Sequence, residues 1–123
     1  MTGPGLSSPI KQHLVSVDGT HMAYREVGEG DPILFLHGNP MSSFLWRNIM
    51  TQLHDVGRCI APDLIGMGES GRLAGDDYRY VTHQRYLAGF CEALGLDRQV
   101  IVVGHDWGGA LAWGVAYAGQ HVR

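Results

Sequence analysis

Apolar and polar residues change their spacing several times along the chain, and each change predicts an element. From Gln12 to Val17 they alternate loosely, Asp18-Gly19 interrupts as a two-residue hairpin signal, and Thr20 to Val27 resumes an extended pattern, so the chain is expected to open with a β-hairpin. Pro32-Ile33-Leu34-Phe35-Leu36 is a continuous apolar run bounded by turn residues, the pattern of a strand buried on both faces of a mostly parallel sheet. After the loop His37-Gly38-Asn39-Pro40, Ser42 or Ser43 can cap a helix whose Trp46, Ile49, Met50 and Leu53 fall at i, i+3, i+4 and i+7. Cys59-Ile60-Ala61 reads as a strand. From about Thr82, the positions Leu87, Phe90, Cys91 and Leu94 mark one face of a second helix, which Gly95 is suited to end. Val100 to Val103 reads as the next buried strand, Gly104 to Gly108 as the turn after it, and Leu111, Val115 and Ala118 as one face of a last helix. A hairpin followed by three βα repeats predicts an α/β sheet with right-handed crossovers. Residues 1–10 read as a flexible arm, and residues 11–123 as one block without linker or repeat.

Composition narrows the function classes. With 45% apolar and 17% charged residues the chain is not of the disordered type, and a net charge of −3 supplies no basic footprint for nucleic acid. No apolar run approaches the ~20 residues of a membrane-spanning helix. Residues 1–9 lack a positive cluster followed by an apolar stretch, so the reading is a cytoplasmic protein without a secretory signal. Cys59 and Cys91 have no CxxC spacing and read as small buried hydrophobes rather than a disulfide. The seven histidines show no ligand spacing, so no metal is expected; His37 and His105 stand in two turns, where orienting loop backbone is the expected task. Tyr78, Tyr80 and Tyr86 read as loop and surface aromatics rather than a stacking platform.

The 18 glycines in 123 residues are about twice the average usage, and they cluster where strands end. Gly66-Met67-Gly68-Glu69-Ser70-Gly71 satisfies GxGxxG, yet Arg72 to Asp77 reads as a polar loop, leaving no helix terminus for a pyrophosphate. The more specific pattern is Val102-Val103-Gly104-His105-Asp106-Trp107-Gly108-Gly109, small-x-nucleophile-x-small between a buried strand and a helix: a nucleophile elbow with Asp106 at its tip. A helix cap would account for an Asp at 106 but not for the flanking Gly104 and Gly108. A carboxylate is already ionised at neutral pH and can displace a leaving group from an sp³ carbon without a base. The resulting ester is broken by an activated water, with an oxyanion held by backbone N–H groups, here those of Trp107 and of Asn39 on the earlier loop.

Four segments carry a resemblance: His37-Gly38-Asn39-Pro40, Ser42 to Ile49, Pro62 to Ser70 and Gly104 to Gly108. From about Lys11 onward the chain resembles the bacterial haloalkane dehalogenases of the α/β-hydrolase superfamily. The resemblance implies an α/β-hydrolase-type, mostly parallel sheet begun by an antiparallel hairpin. It also implies cleavage of carbon–halogen bonds in a small haloalkane by water, releasing alcohol and halide, with no cofactor. In that family the position of Asp106 is the nucleophile, and those of Asn39 and Trp107 hold the leaving halide through side-chain N–H groups; His37, Gly38, Pro40, Gly104, His105 and Gly108 shape the two loops. An indole N–H is donor only, and an Asn amide serves if its NH₂ faces the halide. Alone, Trp107 would read as a packing residue and Asn39 as a turn residue.

Epoxide hydrolases share the elbow but carry an aromatic residue where Asn39 stands. Coelenterazine-using luciferases are similar in both the Asn39 loop and the Pro62 to Ser70 segment, with Pro40 leaning toward the dehalogenases. The superfamily places its acid and its His after the nucleophile, and 17 residues follow Asp106, so neither is expected among them, nor are the later strands and the helical cap. Two further expectations follow: an unpaired sheet edge that self-associates or receives a complementing chain, and, as the rival functional reading, a non-catalytic α/β fragment.

Overall fold

A computed structural model describes residues 10–38, 42–73, 78–96, 100–105 and 108–111. Strand β1 (Lys11–Val17) and strand β2 (Thr20–Val27) form the expected hairpin, in antiparallel register with Val17 opposite Thr20. Asp18 and Gly19 both take positive φ, 47° and 85°, which is the demand of a type I′ turn and the reason these two residue types stand there. β3 (Pro32–Leu36) is followed by a 3₁₀ turn (Ser43–Trp46), helix α1 (Arg47–Gln52), β4 (Arg58–Pro62), helix α2 (Tyr80–Ala93) and β5 (Ile101–Gly104).

The five strands form one sheet in the order β1-β2-β4-β3-β5. β2 pairs antiparallel with β4, whereas β4, β3 and β5 run parallel. Alternation along β3 divides its side chains between two cores: Leu34 and Leu36 join Ile60, Leu87 and Phe90 on one face, while Ile33 and Phe35 join Cys59, Ala61, Trp46 and Met50 on the other. The sheet is therefore covered on both sides, by α2 on one face and by the 3₁₀ turn and α1 on the other, which is why β3 reads as an uninterrupted apolar run. Chain order reverses at β3: β4 lies to one side of it and β5 to the other. In open α/β sheets, such a switch point opens a crevice beyond the carboxyl ends of the strands.

Four local expectations are corrected. Ile49 is 45% exposed rather than buried, because the segment capped by Ser42 begins as a 3₁₀ turn whose tighter winding shifts the phase, so that Trp46 and Met50 face inward and Ile49 does not. Helix α2 starts at Tyr80, two residues before the expected Thr82. Tyr86 is a core residue, one turn before Phe90 on the buried face of α2, and not a surface aromatic. β5 is half-exposed, with Ile101 57% accessible, because it lies at the sheet's outer edge with β3 as its one neighbour among the described strands.

Gly95, at φ 70°, ends α2 with bonds from Leu96 N to Cys91 O at 2.8 Å and from Gly95 N to Glu92 O at 3.1 Å, a Schellman closure. Cys59 and Cys91 are free thiols; burial pushes the Cys91 thiol up to about 11, so it behaves as a packing group. Among the described residues, no helix is long and apolar enough to cross a membrane.

Candidate active site

The parallel pairing of β3 and β5 sets Leu36 opposite Gly104, so the loops after both strands leave the sheet side by side at the switch point. His105 N donates to Leu36 O at 3.1 Å, and Gly108 N donates to His105 O at 2.9 Å, closing a tight turn into the helical residues that begin at 108. Neither flanking glycine has room for a side chain. A Cβ on Gly104 would lie 2.6 Å from the carbonyl carbon of Gly108 and 2.7 Å from Cα of Gly109, and a Cβ on Gly108 would lie 2.6 Å from the carbonyl carbon of Leu36 and 2.7 Å from His37 O. All of these are backbone atoms, which cannot swing aside as a side chain would. Bare glycine at both positions is what lets the turn after β5 pack directly on the end of β3.

His37, on the loop after β3, is fully buried. Its Nε2 accepts the Leu64 N–H at 2.9 Å, and its Nδ1 donates to Gly38 O at 2.6 Å, so the ring is held as the neutral Nδ1–H tautomer. Burial pushes its pKa below the ordinary value, against the opposing pull of the Gly38 bond and the Asp63 charge. The His105 side chain is exposed.

Asp63 immediately follows β4. Its Oδ1 accepts Ser43 N at 2.7 Å, and its Oδ2 accepts Glu69 N at 2.9 Å. Its own N–H donates to Ala23 O at 2.8 Å, and its carbonyl accepts the Ser70 hydroxyl at 2.6 Å. That hydroxyl in turn accepts Ala23 N at 2.9 Å. Residues 64–71 form a compact turn, with Gly66 N bonded to Gly71 O and Met67 N to Leu64 O. Gly68, at φ 53°, presses against the Asp63 carboxylate, which accounts for glycines in a GxGxxG-like run that opens no helix. On α2, His83 is buried beside the Tyr78 ring, 6.3 Å between centroids, and burial together with nearby His37 lowers its pKa.

Of the residues singled out in the sequence, His37, Gly38, Gly104, His105 and Gly108 are thus brought together at the ends of β3 and β5. Asn39, Pro40, Asp106 and Trp107 lie outside the described residues. Sequence reasoning assigned no role to Asp63 or His83. A signal for Asp63 was present: a lone acidic residue between Pro62 and Leu64, at the carboxyl end of an apolar strand. Among the described residues no group of His, Cys, Asp and Glu is arranged to hold a metal ion.

The family of the α/β-hydrolase fold matches residues 31–123. The chain is 48% identical over 114 residues to a haloalkane dehalogenase from Sphingobium indicum, covering 90% of this chain and 38% of that protein. It is 41% identical over 120 residues to a coelenterazine h 2-monooxygenase from Renilla reniformis, covering 98% and 39%. Its structure is similar to the crystal structure of a haloalkane dehalogenase from Bradyrhizobium elkani, with a TM-score of 0.88 and 44% identity over 93% of this chain and 39% of the other. The chain spans less than two-fifths of the length of these relatives. With residues 31–123 matched, and with three parallel strands whose loops meet at the switch point of a mixed sheet, the chain belongs to the α/β-hydrolase fold family.

Proposed function

We propose that this chain carries the displacement half of a haloalkane dehalogenase. The observation that carries the reading is the backbone packing of the turn at 105–108 on the end of β3, with no space for side chains at Gly104 and Gly108. This is the local arrangement a nucleophile elbow needs. Similarity to haloalkane dehalogenases supports the substrate class. Asp106 is the nucleophile: one carboxylate oxygen forms a bond to the halogen-bearing carbon, and the halide leaves with the electron pair of the carbon–halogen bond. The side-chain N–H groups of Asn39 and Trp107 receive the halide. Breaking the resulting ester takes a water activated by a base, a step beyond displacement in which the backbone N–H groups of the same two residues would receive the oxyanion. Displacement needs neither base nor cofactor, so this step is within reach of the chain's own residues. Its partners are a small haloalkane, water and halide, and the edge of β5 that no described strand pairs accepts either a complementing chain or a second copy.

A second reading rests on the Renilla relative, which is matched along 98% of the chain. It makes the substrate coelenterazine and the reaction an oxygenation. The two separate in one experiment: the purified chain is given 1-bromobutane in one vessel and coelenterazine in air in another, with bromide and oxidised coelenterazine measured. Stoichiometric bromide release without coelenterazine turnover supports dehalogenation, the reverse supports the oxygenase, and neither supports a non-catalytic fragment.

A further inference from the structure

The loop from His37 to Ser43 is pinned at both ends to the same two consecutive residues. At its start the buried His37 ring accepts the Leu64 N–H at 2.9 Å, and at its end Ser43 N donates to Asp63 Oδ1 at 2.7 Å. Asp63 is itself fixed to the sheet through Ala23 O and to the following turn through Glu69 N and the Ser70 hydroxyl, and it is only 3% exposed. Two backbone N–H donors from separate segments converge on its two oxygens. An ionised carboxylate meets both because it is acceptor only, whereas an asparagine would offer one oxygen and turn an NH₂ toward the other donor.

We infer that Asp63 is a positioning residue for the displacement step. Its carboxylate ties Ser43 to the turn after β4, which also holds His37 through Leu64 N, and Asn39 stands between these two tethered residues in the sequence. The inference rests on the reading of Asn39 given above, but its structural half does not. The hydrogen bonds place Asp63 as the shared anchor of the two segments, so replacing its carboxylate should loosen both, and removing one donor should loosen only that donor's segment, without touching the hairpin at the far side of the sheet.

The test is Asp63→Asn in the 123-residue chain, with two readouts: backbone hydrogen exchange by segment, and the rate of alkylation by 1-bromobutane as a function of its concentration. Exchange in segments 37–43 and 64–70 is expected to rise by about tenfold or more while the β1–β2 hairpin is unchanged. The maximal alkylation rate is expected to fall by about ten- to a hundredfold at an unchanged half-saturating concentration, since a donor misplaced by ~1 Å costs on this order. Unchanged exchange, a uniform rise across every segment, or a loosened loop with an unchanged alkylation rate would each overturn the inference. Should the parent chain take no adduct, the reading of Asn39 fails separately, and the exchange pattern still decides whether Asp63 anchors the loop.

Ser43→Pro gives the same test if Asp63→Asn does not fold. It deletes the N–H that Asp63 Oδ1 accepts, at the first position of the 3₁₀ turn, and Ser42 is already extended at φ −151°, ψ 177°, as a residue before proline must be. It should loosen 37–43 and leave 64–70 intact; a loop that keeps its protection would contradict the assignment.

Discussion

Gly108 and Gly109 are adjacent, yet the structure predicts opposite consequences for adding one methyl group to each. A Cβ on Gly108 meets the carbonyl carbon of Leu36 at 2.6 Å and His37 O at 2.7 Å, closer than such atoms approach in folded proteins, and both are backbone atoms, at the last residue of β3 and the buried residue after it. Relief requires the turn after β5 to withdraw from the sheet by several tenths of an ångström, at the expense of the Gly108 N to His105 O and His105 N to Leu36 O bonds. Overpacking of this kind costs about 1–3 kcal/mol, and the weakened hydrogen bonds add about 1 kcal/mol, so Gly108→Ala should destabilise by roughly 2–4 kcal/mol. A Cβ on Gly109 meets nothing within 4 Å, and the residue is helical without a positive φ. Gly109→Ala should therefore stabilise by about 0.5–1 kcal/mol, through helix propensity and a less disordered unfolded chain. Urea unfolding of the two variants and the parent, followed by far-ultraviolet circular dichroism at low micromolar concentration, reads the difference as a shift in midpoint at constant slope. Equal midpoints, or a larger loss at Gly109 than at Gly108, would refute the close approach of the two loops.

Stability should also depend on pH through the buried histidines. Burial lowers the folded-state pKa of both His37 and His83, so above about pH 6.5 neither state is charged there and stability is level. Below that value the unfolded chain takes up protons that the folded chain resists, and stability falls, at up to about 1.4 kcal/mol per pH unit for each histidine; a urea midpoint unchanged between pH 7.5 and 5.5 would contradict it. Truncating Phe90, which is fully buried and meets Tyr24 edge-on at 5.3 Å, should cost about 3–5 kcal/mol, and a Phe90→Ala variant with a parent-like urea midpoint would disprove its place at the centre of the core. Ile101→Lys places a charge on the exposed outer strand and should reduce self-association seen by sedimentation velocity, whereas unchanged association would locate the contact elsewhere.

Much of the framework was legible because it rests on local rules. Asp18-Gly19 advertises a turn with two positive φ values, Gly95 a helix end, and Pro32 to Leu36 a strand buried on both faces, and none of these depends on distant residues. Ile49 was misplaced because helical spacing assumes 3.6 residues per turn, and the preceding 3₁₀ turn breaks that phase. The exposure of Ile101 depends on which strand stands at the sheet's edge, and Tyr86 is buried by what α2 packs on; neither is written in local spacing. The role of Asp63 was hidden for a related reason: its partners Ala23, Ser43 and Glu69 contribute backbone groups, which leave no mark in the side-chain pattern. For the candidate site, motif and resemblance supplied Asp106, Asn39 and Trp107 together with the loop-shaping His37, Gly104 and Gly108, while the packing of these last residues on Leu36 joins segments distant in the sequence and became visible only in the structure.

The central claim, that Asp106 is a nucleophile toward halogen-bearing carbon, is tested most directly by the intact mass of the chain after incubation with 1-bromobutane, beside an Asp106→Asn control. The account predicts one butyl group added to the parent chain, located at Asp106 by peptide mapping, matched by an equal amount of bromide and missing from the control. A folded parent chain that gains no mass, or a control that is alkylated equally, would contradict it.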